Sequence, residues 1–146
     1  MALTANRTCS LAVKGDTLDA DISASQRYTA GTAAEQVDMR IPFSLRVNNA
    51  AVTLDLAQAG ITFAKVREIH VKNLNTATGE YVEVGGGTND VAGYGKRTIG
   101  PKGIDVWASP VDGLAVVATT GDTLTFDTTG SGEDVTVEGI VIGTSA

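Results

Sequence analysis

Glu68-Ile69-His70-Val71-Lys72-Asn73-Leu74, then Asn75-Thr76-Ala77-Thr78-Gly79, then Glu80-Tyr81-Val82-Glu83-Val84 and three glycines, Gly85 to Gly87, form the stretch that decides the fold. Ile69 and Val71 alternate with Glu68, His70 and Lys72, and Val82 and Val84 alternate with Tyr81 and Glu83, which is the period of a half-buried strand. Asn75, Thr76, Thr78 and Gly79 bond their own backbone or accept positive φ. The two runs are therefore expected to pair as an antiparallel hairpin across a loop of about five residues. On such strands Glu68 and His70 both point outward.

Working toward the N-terminus, Met39, Ile41, Phe43, Leu45 and Val47 alternate with Arg40, Pro42, Ser44 and Arg46, the cleanest period-two run in the chain. Pro42 cannot donate to a ladder, so this strand belongs at a sheet edge or carries Pro42 outward at a bulge. Residues 7 to 13 and 16 to 24 read as short strands about the turn Lys14-Gly15-Asp16, and 25 to 37 as a connection. Ala51 to Leu56 is a further short strand, and Ala57 to Gly60 a turn.

Toward the C-terminus, glycine dominates from Gly85 to Gly103, which marks a contact or binding loop. Ile104–Trp107, Leu114–Ala118, Thr123–Phe126 and Asp134–Ile142 follow as strands separated by turn residues, and Gly139 suggests a bulge or a strand end buried on both faces. Short strands at this spacing, with no helix longer than a turn or two, predict a single all-β domain: a jelly-roll-like β-sandwich of about 8–10 antiparallel strands over residues 11–146, preceded by an arm or first strand over 1–10. No internal repeat is visible, which disfavours a propeller or solenoid.

The composition fits one domain. The 146 residues are 42% hydrophobic and only 5% aromatic, so the core must be built from Val, Ile, Leu and Ala around Trp107 and isolated Phe. A net charge of -6 with no Lys/Arg cluster argues against nucleic-acid binding, whose affinity rests on counterion release. Cys9 is the only cysteine, so no intrachain disulfide and no thiol metal site is expected. The first ten residues lack a basic segment followed by an apolar run, so no secretory leader is expected, and Asn6-Arg7-Thr8 is a chance sequon. No window approaches a membrane span.

Candidates for chemistry all have structural readings. His70 has no second histidine to complete a metal site or a base and orienter set. Asp16, Asp19 and Asp21 lack the register of a calcium loop and its distal Glu, and fall on a solvated face. Asp112, Asp122, Asp127, Glu133 and Asp134 sit at turns, where such residues are expected, and not as a glycosidase pair. Gly95-Lys96-Arg97-Thr98 departs from the phosphate-loop pattern, since Arg97 follows the lysine and Asp90 stands at the first glycine's position. Trp107 reads as core, with a sugar-stacking platform as the minority reading. Neither enzymatic activity nor a cofactor or metal is expected.

The series Val66-Arg67-Glu68-Ile69-His70-Val71-Lys72-Asn73-Leu74, Tyr81 to Gly87, Ile99-Gly100-Pro101-Lys102-Gly103, Trp107 to Gly113, Thr120 to Leu124 and Gly139 to Ser145 resembles the jelly-roll cement, or decoration, proteins of tailed-bacteriophage capsids. The resemblance covers Thr53 to the C-terminus, and the first fifty residues in strand pattern only. It implies a virion protein made in the bacterial host cytoplasm, bound to the capsid exterior, and stabilising the shell by bridging subunits of the major capsid protein. A homodimer or other symmetric oligomer is implied, with no direct nucleic acid and no membrane. Three contact elements are expected under that reading: the arm Met1 to Ser10 with Leu3, Asn6 and Arg7; the basic edge strand with Arg40 and Arg46; and the glycine-rich loop with Tyr94, Lys96 and Arg97. The rival reading is a carbohydrate- or receptor-binding sandwich module of a phage tail, collar or fibre, with Trp107, Tyr81 or Tyr94 stacking on a sugar.

Overall fold

The computed structural model describes residues 5–13, 20–58, 60–130 and 133–146, and all regular structure among them is β. The strands are β1 (Ala5–Val13), β2 (Ala20–Ala30), β3 (Gln36–Val37), β4 (Met39–Asn48), β5 (Val52–Asp55), β6 (Ala57–Gln58), β7 (Ile61–Asn73), β8 (Val82–Val84), β9 (Arg97–Ile99), β10 (Ile104–Ala108), β11 (Leu114–Ala115), β12 (Thr123–Thr128) and β13 (Asp134–Ser145). Two antiparallel sheets make a sandwich, one in the order β10-β7-β13-β4 and the other β5-β12-β8-β9, while β1-β2-β3 form a small third sheet. The short β6 and β11 both pair with β7.

Alternation along each strand builds the core. Ile41 and Val47 of β4, Ile69 and Val71 of β7, and Val135, Val137 and Val141 of β13 meet Val82 and Val84 of β8, Ile99 of β9, and Leu124 and Phe126 of β12. Phe43 crosses between the layers to Phe126, ring centroids 5.3 Å apart. Few aromatics suffice because β-branched side chains fill the space between two pleated sheets.

The hydrogen-bond phase explains Pro42. Leu74 N–H donates to the Thr136 carbonyl at 2.9 Å and Asn73 N–H to that of Gly103 at 3.0 Å, so even residues of β7 bond β13 and odd ones bond β10. The odd residues of β13 then bond β4, and Pro42, in register with Ile140, presents its missing N–H to the open side of an edge strand. The edge position expected from its ring is the one observed.

The hairpin expected over residues 68–84 does not form. β7 pairs with β10 and β13, and β8 pairs with β12 and β9 in the opposite sheet. The connecting residues instead carry the chain from one layer to the other, and two asparagine side chains pin them. Asn73 Nδ2 donates to the carbonyls of Glu80 (2.8 Å) and Ile99 (3.2 Å), and Asn73 Oδ1 accepts from Asn75 N–H (3.0 Å). Asn75 in turn donates to the Asp134 carbonyl and accepts from Thr136 N–H, at 2.7 and 2.9 Å.

Gly139 is also placed differently from expectation. The register runs unbroken through it, Phe43 on one side and Val71 on the other, in a strand paired along both edges. A Cβ there would collide with the His70 carbonyl oxygen and lie 2.5 Å from the Phe43 ring, so glycine is required for close approach and not for a bulge. The irregularities of β13 come later, between Ile142 and Gly143 and between Thr144 and Ser145.

Candidate contact surfaces

The N-terminal element is a two-stranded ribbon. β1 pairs with β2 in register from Ala5↔Tyr28 to Val13↔Ala20, and its other edge has no partner among the described residues. Leu3 and the turn Lys14-Gly15-Asp16 lie outside the described residues, as does Asp19. Asn6 and Arg7 fall on β1 opposite Arg27 and Gln26, and Asp21 on β2 opposite Ala12, so of the segment expected to be an arm or first strand, the residues from Ala5 onward are a strand of the third sheet.

Where β2 meets the sandwich, Tyr28 is fully buried and its hydroxyl donates to Glu68 Oε1 at 2.7 Å. The other carboxylate oxygen lies 2.7 Å from His70 Nε2. Glu68, expected to face solvent, is only 1% exposed. Its alternation onto the outer face of β7 holds, but Tyr28 covers that face, and a buried carboxylate requires such donors. His70 remains partly open at 28% side-chain exposure.

Arg67 is the second buried charge at this junction. The register steps from Glu68↔Ile142 to Val66↔Gly143, which leaves Arg67 as the extra residue of a β-bulge. Arg67 is 2% exposed, and its guanidinium donates to the Val111 carbonyl and to that of Ala33 at 3.3 Å. Glu35 N–H donates to the Pro110 carbonyl at 3.0 Å in the same place. Arg67 thus clamps the β2–β3 connection to the turn after β10, and the third sheet is joined to the sandwich by buried polar bonds.

On β4, Arg40 and Arg46 are exposed. Arg46 forks onto Asp134, Nε to Oδ1 at 2.7 Å and the second nitrogen to Oδ2. That hydrogen bond holds the Asp134 carboxyl below its usual range and raises Arg46.

The glycine-rich loop is stitched down. Asp90 accepts from Gly87 N–H (2.9 Å) and from the hydroxyls of Thr123 (2.9 Å) and Thr125 (2.7 Å). Tyr94, expected to be a contact side chain, is instead core: it is 3% exposed, its hydroxyl donates to Asp105 at 3.0 Å, and its ring meets Trp107 edge-on at 6.4 Å. Gly93 and Gly95, with φ of 93° and 76°, turn the chain on either side so that the ring can enter. Burial, then the Asp105 charge, push the phenol pKa up. Arg97 lies 5.0 Å from the Tyr94 ring centroid and pairs with Asp105 at 3.2 Å, and Lys96 pairs with Glu83 at 2.6 Å. Trp107, half-buried, packs on the core.

The structure therefore does not gather the sequence-chosen residues into one site. It separates them onto the ribbon, the β4 edge and the loop, and adds Tyr28, Arg67 and Asp90, whose roles depend on distant partners and carry no local motif. No protein-family model, curated protein or solved structure matches the chain.

Proposed function

We propose that this protein is a structural component of a tailed-phage virion that binds the outer surface of the icosahedral capsid and bridges major capsid protein subunits. The observation that carries the reading is the ribbon: nine registered pairs anchored at one end by Tyr28 and Glu68, with the β1 edge unpaired among the described residues. A free edge of this length can add to a strand of a neighbouring subunit, and an isolated two-stranded ribbon is marginal in water until it gains a further strand or a covering layer. Many symmetric copies engaging one lattice need only modest interfaces, and whatever binds only the assembled shell stabilises it by mass action.

The strand order supports the finer jelly-roll reading. Numbering only the eight strands of the two four-stranded paths, the order is 6-3-8-1 in one sheet and 2-7-4-5 in the other, with all neighbours antiparallel, the interleaving of two Greek keys. Of the rings named for the sugar-binding alternative, Tyr94 is buried against the half-buried Trp107, and Tyr81 is exposed.

The test is co-sedimentation of the purified protein with expanded, undecorated capsids, together with the temperature at which the shells release DNA. Saturable binding that raises the release temperature is expected. Absence of binding at saturating protein rejects the capsid role.

A further inference from the structure

We infer that β10 is a docking edge where an extended segment of another polypeptide adds as a further strand beside β10, on the side away from β7. The inference concerns the main chain and does not depend on which assembly the protein joins.

The four sandwich edges are guarded unequally. β4 carries Pro42 with Arg40 and Arg46, β9 is only three residues long, and β5 is four residues long and ends in Asp55. Charge, proline and shortness are the ordinary devices that keep an edge from recruiting another strand. β10, Ile104-Asp105-Val106-Trp107-Ala108, has no proline, lysine or arginine. Its one charge is turned inward, where Asp105 accepts from Tyr94 and pairs with Arg97. It therefore does not guard the edge.

The ladder phase shows what is left open. Gly103 accepts from Asn73 N–H at 3.0 Å and Ser109 N–H donates to Arg67 at 2.9 Å, so residues 103, 105, 107 and 109 bond β7. The N–H and C=O groups of Ile104, Val106 and Ala108 face the other way, and among the described residues no turn, loop or side chain bonds them. Alternating open donors and acceptors are complementary to one class of partner, another extended backbone.

The side chains of the same residues define the chemistry of that segment. Ile104, 65% exposed, is the most exposed large hydrophobic residue of those described. Val106, His70, Ile140 and Pro42 stand in register across the four strands. Beside that row lies an open groove of about 460 Å³, lined by Pro42, His70 and Ile140 of the row together with Ile104, Lys72 and Glu138. An incoming strand with β-branched residues at alternate positions would extend this apolar row by one place and cover Ile104.

The experiment uses a short acetylated peptide of alternating threonine and valine, and the same peptide N-methylated at alternate residues. Amide hydrogen exchange of the full protein is read residue by residue. The expected result is slowed exchange at Ile104, Val106 and Ala108 with the first peptide, and binding about tenfold or more weaker with the methylated one. Val106→Pro removes only an outward N–H, as Pro42 does on β4, and should abolish protection while the protein stays folded. Ile104→Lys, at an exposed position, places a guarding charge on the edge and should weaken binding even if the proline variant does not fold. Absence of protection at these three amides, protection confined to β1, or equal binding by the methylated peptide overturns the inference.

Discussion

Asn73→Ala tests what carries the chain between the two sheets. Asn73 is 0% exposed and makes three side-chain hydrogen bonds, donating to Glu80 and Ile99 and accepting from Asn75. Each is worth about 1 kcal/mol net, and truncation also leaves buried carbonyls without their donor, so the loss should reach about 3–5 kcal/mol. In a chain of this size that corresponds to a fall in melting temperature of roughly 10 °C. Equilibrium unfolding in urea should show a lower midpoint with an unchanged slope, because the surface exposed on unfolding is the same. Asn75→Ala keeps the backbone N–H that donates to Asn73 and removes instead the side-chain bonds to Asp134 and Thr136; because both side chains pin one crossover, the double mutant should lose less than the sum by about 0.5 kcal/mol or more. A loss below about 1 kcal/mol for Asn73→Ala would refute the reasoning, and would mean that the strands alone hold the crossover.

Gly139→Ala drives a Cβ into the His70 carbonyl and the Phe43 ring, and should cost about 2–3 kcal/mol by overpacking; chemical denaturation reads it, and a neutral result would mean that β4 can shift aside. Tyr28→Phe removes a hydroxyl donor from the buried Glu68 carboxylate, so about 2 kcal/mol should be lost and amide exchange across residues 28–37 should quicken before the sandwich melts. Uniform exchange across the protein would count against a local joint. The Tyr94 phenol is raised above its unfolded value by burial and by Asp105, so its contribution to stability is complete below about pH 10 and falls as the pH rises further, when the unfolded chain ionises and the folded one does not. Ultraviolet titration should therefore show Tyr94 ionising only with unfolding, and Tyr94→Phe should leave the absorbance change of the folded protein intact.

The residues differ in how openly they state their place. β4 is legible because its pattern and its proline say the same thing: Ile41 and Val47 go inward, and a residue without an N–H must face an open ladder. The runs around Ile69 and Val82 state their buried faces equally well. They do not state their partners. Alternation specifies a face, and the pairing is decided by β13 at the far end of the chain and by Asn73 and Asn75, whose bonds close only after the sheets assemble. Arg67 is invisible for a related reason, since a bulge is a relation between two strands and neither sequence marks it. Tyr94 misleads through its neighbours: glycines suggest a solvated loop, whereas positive φ on both sides of Tyr94 is what allows the ring to reach Trp107 and Asp105.

Ion pairs within the chain limit how a partner can be held. Arg46, Lys96 and Arg97, the cations that a sequence reading offers to an acidic surface, are each paired within the chain, with Asp134, Glu83 and Asp105. To meet a partner's carboxylate, any of them would have to break an existing pair, so the net gain is small even where the new contact is good. Arg40 makes no ion pair among the described residues and lies exposed on the β4 edge. Charge reversal at Arg46 would therefore report the loss of its fork onto Asp134 together with any effect on binding, whereas Arg40→Glu leaves the internal pairs untouched. If shell binding depends on the basic edge, Arg40→Glu should weaken it and steepen no salt dependence of unfolding. If binding is unchanged, recognition rests on open main-chain edges and apolar rows, which the ribbon and β10 supply and charge reversal does not reach.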